Sequence, residues 1–284
     1  MQTPNNWKDY TLLDAGGGEK VELWGKIKVI RPDPQAIWPR TKPELWENPH
    51  MYYHRSKSGG GHWEKLKETP ETWDISFGEL HFNIRPTGFK HMGLFPEQAV
   101  NWCWMIDKIK AAKQPIKVLN LFAYTGGATV ACLNAGASVV HIDAAKGMNA
   151  WAKDNIILSN LEDAPHRIIA DDVMKFVQRE SRRGNTYDGI IMDPPVFGRG
   201  PKGELWKLEE RLYELVTAAA SILTPSPLFM LINAYTAGLS PAVYGNILKL
   251  IMDVHRGHTT FGEVGLKASS DVILPCGMYA RWEK

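Results

Sequence analysis

Lys117-Val118-Leu119-Asn120-Leu121-Phe122 runs straight into Ala123-Tyr124-Thr125-Gly126-Gly127, and a stretch bearing Val130, Ala131 and Leu133 follows. An apolar run of strand length, a turn of small residues and a helix form the opening of a βα unit. Outward from it, apolar runs of strand length recur at Val139–Ile142, Arg167–Ala170, Tyr187–Met192 and Leu228–Ile232, with helix-length segments between them. A helix from Glu97 to Ala112 precedes the first strand and stops ahead of Pro115. This alternation predicts an α/β fold with a doubly wound, mostly parallel sheet. The ending departs from simple alternation, because Thr259–Glu263 and Tyr279–Trp282 flank a Gly/Ser/Pro-containing stretch and predict a closing antiparallel pair. Seven strands result.

Residues 1–100 read differently and are expected to form a small β-rich N-terminal domain, a substrate-docking module by position, ahead of a second domain over residues 101–284. Six of the eleven tryptophans (Trp7, Trp24, Trp38, Trp46, Trp63, Trp73) lie there with breaks at Pro32-Asp33-Pro34 and Pro39. Val21–Val29 alternates apolar and polar residues as one short strand. Trp73–Phe77 and Leu80–Ile84 alternate around Gly78-Glu79, which marks a hairpin. Between Trp46 and Trp63, Tyr52, Tyr53, His54, Arg55 and Lys57 precede Ser58-Gly59-Gly60-Gly61 and predict a flexible loop carrying rings and positive charge. Such a loop suits stacking on single-stranded nucleic acid, and equally suits anchoring itself to a small β-core.

The 284-residue chain carries 33 Lys+Arg against 31 Asp+Glu, a net charge of +2, and its first hundred residues hold thirteen of each sign. No broad basic field exists, so any contact with nucleic acid is local. The chain has no run of ~18 apolar residues and opens with a polar stretch, so neither a membrane span nor a secretory leader is expected, and the expected location is cytoplasmic. Cys103, Cys132 and Cys276 are too scattered for a zinc site or a disulfide framework, and no metal is expected.

The polar residues that interrupt this pattern fall at successive strand ends. The Asn120–Gly127 loop lacks the GxGxxG spacing of a pyrophosphate seat, but its small residues and the following helix N-terminus can receive a zwitterionic amino-acid tail. Asp143 ends the second strand, where a ribose hydroxyl pair is gripped in such folds. Asp171 and Asp172 follow the third, placed either to accept from an adenine amino group or, for one of them, to cap the next helix. Asp193-Pro194-Pro195 ends Gly189-Ile190-Ile191-Met192 and precedes Phe197. Proline fixes φ and donates no N–H, so the elbow is stiff and its carbonyls are open to a substrate. An amine held between Asp193 and the Pro194 carbonyl, with its ring on Phe197, would aim its lone pair at one point. The tripeptide also reads as an ordinary strand-to-loop turn.

Together these motifs resemble the class I S-adenosylmethionine-dependent methyltransferases, and more narrowly the ribosomal RNA large-subunit cytosine-5/guanine-N7 methyltransferase family. That family carries N-L-F-x-Y-T-G-G, here Asn120–Gly127, and D-P-P-x-F, here Asp193–Phe197. Gly93-Leu94-Phe95-Pro96-Glu97-Gln98 resembles its glycine-aromatic segment that closes over the cofactor. The resemblance implies a Rossmann-like fold and S-adenosylmethionine held by Phe95, Gln98, Asn120, Phe122, Tyr124, Thr125, Gly126, Asp143, Asp171, Asp172 and Asp193. It also implies catalysis by Asp193, Pro194 and Phe197, and an RNA base as substrate.

The chain departs from the family in two places. Cytosine-5 enzymes use a cysteine after the fifth strand, where this chain has Ile232-Asn233-Ala234-Tyr235, so nitrogen rather than carbon is the expected acceptor. The arginine expected after the glycine-aromatic segment is replaced by neighbours such as Ala99 and Trp102. Asn233 and Tyr235 are further pocket candidates, or strand-end groups satisfying backbone. Arg199 and Lys202 are phosphate candidates, or part of a solvated lid. His91 and the Trp102/Trp104 pair read as structural, and Met148 to Trp151 as core. A protein or small-molecule methyltransferase fits nearly every core feature equally well. A nicotinamide-dependent oxidoreductase lacks its glycine fingerprint here, and a non-catalytic RNA-binding module leaves the cofactor loop unexplained.

Overall fold

The computed structural model describes residues 1–56, 60–199, 205–235 and 238–284. The chain divides into two compact units, one of residues 1–100 and 264–276, the other of 101–263 and 277–284. Residues 264–276, assigned by sequence to the second domain, thus cluster with the first.

The first unit is β-rich. Strands β1 (Tyr10–Gly16), β2 (Glu19–Trp24), β3 (Ile27–Pro32), β4 (Met51–Arg55) and β5 (Gly61–Lys65) form one sheet in that order, and β6 (Trp73–Phe77) pairs with β7 (Leu80–Ile84) in a separate hairpin. Two expectations need correction. Val21–Val29 is not one strand but the two arms of a hairpin, because Gly25 takes a left-handed φ of 62° and turns the chain. The stretch from Trp46 to Trp63 is not a loop. Met51–Arg55 and Gly61–Lys65 form an antiparallel pair, with Tyr53 buried and the Trp63 indole donating to the Thr87 carbonyl. Lys57, Ser58 and Gly59 lie outside the described residues. The hairpin at Gly78-Glu79 forms as expected.

Charge is buried in this unit. The Arg31 guanidinium donates twice to Glu22, Lys20 bridges Glu22 and Asp33, and the Tyr10 hydroxyl donates to Glu22. Burial opposes ionisation of Glu22, yet Arg31 and Lys20 outweigh it and hold the carboxyl down to about 2. Removing either partner would strand a charge in the interior.

The second unit alternates as the sequence predicts. Helix α1 (Ala99–Ala111) leads into β8 (Lys117–Leu121), α2 (Gly127–Asn134), β9 (Ser138–Asp143), α3 (Lys146–Leu158), β10 (His166–Ala170), α4 (Val173–Arg183) and β11 (Gly189–Met192). Two short strands, β12 (Phe197–Arg199) and β13 (Leu205–Lys207), pair antiparallel before α5 (Leu208–Ala220), β14 (Phe229–Ala234) and α6 (Pro241–Ile251). The sheet closes with β15 (His258–Lys267) and β16 (Ile273–Glu283), and its order is β10-β9-β8-β11-β14-β16-β15. β8, β9, β10, β11 and β14 run parallel, and β16 runs antiparallel to β14.

Every residue of β11 and of β14 is buried, as strands covered on both faces by helices must be. Gly189 makes that packing possible, because a Cβ there would sit 2.6 Å from the Phe229 ring. Fully burying side chains such as Ile190 or Leu231 stabilises the fold by about 1.5–3 kcal/mol each. From β8 the chain winds outward through β9 to β10, then returns to β11 on the other flank and continues through β14. The β8/β11 boundary is therefore the point at which strand order reverses, where open α/β sheets hold their ligands.

Candidate active site at the carboxyl rim

Strand register brings the motifs into line. Leu121 lies opposite Ile142 on one side and Met192 on the other, Ile142 lies opposite Ile169, and Met192 lies opposite Ile232. One residue further along each chain are Phe122, Asp143, Ala170, Asp193 and Asn233. Five strand ends thus deliver their loops to one rim, with the Phe122–Gly126 loop and the Asp193 elbow facing each other across the reversal point.

The loop after β8 is held in an uncommon backbone. Phe122 and Tyr124 both have left-handed φ values, 57° and 51°, and Gly126 follows at 84°. Non-glycine residues in this region carry strain that the surroundings must offset. The Ala123 N–H donates to the Ile142 carbonyl, the Tyr124 N–H donates to Asp143 Oδ2 at 2.8 Å, and Asn155 Nδ2 donates to the Thr125 carbonyl at 2.8 Å. A Cβ on Gly126 would lie 3.0 Å from that of Ala152. Helix α2 then starts without a side-chain cap, leaving its first N–H groups directed at the rim.

A buried polar chain holds the loop from beneath. Asn120 Nδ2 donates to Thr129 Oγ1 at 3.0 Å, Thr129 Oγ1 bonds His141 Nδ1 at 2.9 Å, His141 Nε2 bonds Asn149 Oδ1 at 3.1 Å, and Asn149 Nδ2 donates to the Asp143 carbonyl. Burial pushes the His141 pKa down to about 4, so the imidazole is neutral and serves as one donor and one acceptor in the chain. Asn120 is expected at the cofactor from the sequence and Asn149 lies within the stretch read as core, whereas Thr129, His141 and Asn155 are not singled out by it. The available signal was a histidine inside the apolar run Val139–Ile142.

Asp143 carries two duties at its carboxylate, since Oδ2 accepts from Tyr124 and Oδ1 from the Ala145 N–H, while the group stays partly exposed with acceptor lone pairs to spare. At the next strand end the two acids separate. Asp172 caps α4 by accepting from the Lys175 N–H at 2.9 Å, and Asp171 pairs with Arg179 at 2.6 Å. Phe95 and Gln98 belong to the first unit, on a short 3₁₀ turn over Pro96–Gln98, with Phe95 tilted against the His91 ring.

Across the reversal point, the Asp193 N–H donates to the Leu121 carbonyl. Pro194 is buried, whereas Val196 and Phe197 are exposed, the latter 58%. Trp206, which sequence reasoning missed, donates its indole N–H to the Pro195 carbonyl at 2.6 Å. Asn233 is buried and accepts from Asn101, whose own carbonyl accepts from Arg281. Arg199 contributes backbone pairing to β12, and Lys202 lies outside the described residues. Cys132 is buried in α2 and burial raises its pKa, and the next cysteine in the chain after β14 is Cys276, within β16.

The residues present suit a nucleoside carrying an amino-acid tail. The tight loop and uncapped helix start offer N–H groups that would suit a carboxylate, and Asp143 beside them keeps acceptor capacity that would suit hydroxyl protons. A sequence model described as S-adenosylmethionine-dependent methyltransferase matches residues 48–241. The chain belongs to that family. A solved SAM-dependent methyltransferase from Agrobacterium tumefaciens is 38% identical, covers 99% of this chain and 92% of its own, and superposes with a TM-score of 0.93. Another from Streptococcus mutans shares the fold at 17% identity and a TM-score of 0.75, covering 98% and 76%. The "Ribosomal RNA large subunit methyltransferase K/L" of Syntrophotalea carbinolica is 29% identical over 183 residues, 64% of this chain and 25% of the relative. The methyltransferase thus spans about a quarter of that curated relative's length. S-adenosylmethionine is its cofactor. Among the described residues no cluster of metal-ligating side chains occurs, and no helix is long and apolar enough to cross a membrane.

Proposed function

We propose that this methyltransferase methylates a nitrogen of an RNA base, with ribosomal RNA as the substrate class, in the crevice between the ends of β8 and β11. The observation that carries the reading is the register, which sets the Asp193 elbow directly opposite the cofactor loop. When bound, S-adenosylmethionine supplies an electrophilic methyl group on a sulfonium centre. The protein's task is alignment. Phe122–Gly126 and the start of α2 seat the amino-acid tail, and Asp143 takes the ribose hydroxyls. Asp171 is the acid available to an adenine amino group, since the Asp172 carboxylate caps a helix.

On the substrate side, Asp193 accepts a hydrogen bond from the attacking nitrogen and orients its lone pair, the Pro194 carbonyl accepts a second, and Phe197 offers an exposed ring face for stacking. The residues at the end of β14 favour nitrogen over carbon. A pyrimidine carbon requires covalent activation by a thiolate, and Asn233-Ala234-Tyr235 offers none. RNA is supported by the names of the curated relatives. With a net charge of only +2, an RNA contact in this reading would be local rather than a broad basic field.

The test is transfer of labelled methyl groups to total RNA and total protein from a strain lacking the gene, with Asp193→Ala alongside, followed by nucleoside analysis. Label in an N-methylated nucleoside, abolished by the substitution, is expected. Label confined to protein, or appearing in 5-methylcytosine, would overturn the substrate or the acceptor atom respectively.

A further inference from the structure

Trp206 connects the two sides of the crevice. It lies in β13 opposite Gly198 of β12, so the short hairpin that rises from the elbow folds back and lays the indole over the diproline corner. The indole N–H donates to the Pro195 carbonyl at 2.6 Å, and the ring tilts against Phe122 with centroids 6.1 Å apart. Phe122 is the first residue of the cofactor loop and one of its two strained positions. Leu208 N–H, at the start of α5, donates to the Val196 carbonyl at 3.0 Å and fixes the hairpin's return.

We infer that Trp206 is a positioning residue for methyl transfer: its indole clamps the acidic elbow to the cofactor loop and takes the Pro195 carbonyl away from the substrate. An elbow of Asp193-Pro194-Pro195 presents successive carbonyls on a stiff backbone, and two adjacent free acceptors would hold an amine in two orientations. Occupying one with the indole leaves the Pro194 carbonyl and the Asp193 carboxylate to define a single direction. The ring contact with Phe122 sets how far that direction lies from the cofactor loop. Neither effect requires Trp206 to touch the reacting atoms. The clamp rests on the methyl-transfer reading of the crevice, but not on the identity of the substrate.

Two substitutions and one spectrum test it. Trp206→Phe keeps a ring against Phe122 and deletes the N–H, and Trp206→Leu removes both. With substrate RNA, Trp206→Phe is expected to lower kcat about tenfold while KM for RNA and Kd for S-adenosylmethionine stay within about twofold. Trp206→Leu is expected to add roughly fivefold weaker cofactor binding, because the Phe122 contact is lost as well. A Trp206→Phe enzyme with unchanged kcat, or one that loses kcat, cofactor affinity and melting temperature together, overturns the clamp in favour of plain packing.

The spectrum needs no substrate. Among the eleven indole N–H resonances, the one absent from Trp206→Phe is expected to shift and to exchange more slowly with water when S-adenosylmethionine is added. A resonance that stays put while calorimetry shows the cofactor bound sinks the proposal. A shifting resonance in an enzyme that methylates no RNA would leave the clamp standing and overturn the substrate reading alone.

Discussion

Gly126, in the loop after β8, and Asp143, which accepts a hydrogen bond from that loop, carry separable predictions. Gly126 combines a φ of 84° with a Cβ direction that ends 3.0 Å from Ala152 Cβ. Gly126→Ala therefore meets both a conformational cost and a helix that must retreat, together worth about 1–3 kcal/mol. The expected result is a lower melting temperature and at least tenfold weaker S-adenosylmethionine binding by calorimetry, and unchanged affinity would place the ligand elsewhere. Asp143→Ala removes the acceptor of the Tyr124 N–H, the bond that holds the loop in its strained form, as well as the group offered to the ribose. Affinity is expected to fall about a hundredfold, with NAD giving no heat in either protein. Tight NAD binding would instead support an oxidoreductase. Both positions stood out in the sequence as interruptions at a strand-loop-helix junction, and the structure brings them to the same loop, where Asp143 accepts from the Tyr124 N–H. Trp206 did not stand out, since its partner, the Pro195 carbonyl, is a backbone atom and no residue type advertises it.

At the scale of elements, the recurrence of mostly apolar runs located the five parallel strands to within two residues, because the inner strands are covered on both faces, even though β8 and β9 each bury one polar residue, Asn120 and His141. The first unit was harder to read. β4 and β5 carry Tyr52, His54, His62 and Glu64 on one face, and a two-stranded ribbon with that much polar surface has the composition of a loop. Cross-strand partners decide it, as Tyr53 and Trp63 meet edge to face on the other side. Helix α4 separates structure from function at Asp171-Asp172. Asp172→Ala should destabilise the protein by about 1 kcal/mol, the usual cost of losing an N-cap, with cofactor affinity unchanged. Asp171→Ala frees Arg179 and removes the remaining acid from the third strand end. Its expected signature is weaker S-adenosylmethionine binding at nearly constant melting temperature, and the opposite pattern for the pair would reassign the adenine contact to Asp172.

Across the whole molecule, stability should depend on pH in two steps with different origins. His141 in the second unit and His91 in the first are both held down to about 4, His141 by burial, and His91 by burial together with Arg31, Lys90 and Lys20. Their ordinary value is near 6.5, so between pH 6.5 and 4 the unfolded chain binds protons that the folded chain refuses. Stability is therefore fully present above pH 6.5 and falls as the pH drops toward 4, by about 3 kcal/mol for the fully buried His141. A second loss follows at lower pH; Glu180 and Glu283 of the second unit, held against burial below the ordinary carboxylate value by their hydrogen bonds, contribute to it, and its best-defined part, between about pH 4 and 2, lies in the first unit. There Glu22 and Asp14, both buried, are held at about 2, Glu22 by Arg31 and Lys20 and Asp14 by hydrogen bonds from Ser270, Trp46 and Thr41, each against the opposing effect of burial. Protonating either breaks a buried hydrogen-bond network. Urea midpoints measured from pH 8 to 3 should decline in these two stages, and the His141 imidazole resonance should hold its neutral position until the pH approaches 4. A His141 resonance titrating near 6.5 would mean that the chain Asn120–Thr129–His141–Asn149 is open to water, and the cofactor loop above it would lose its support.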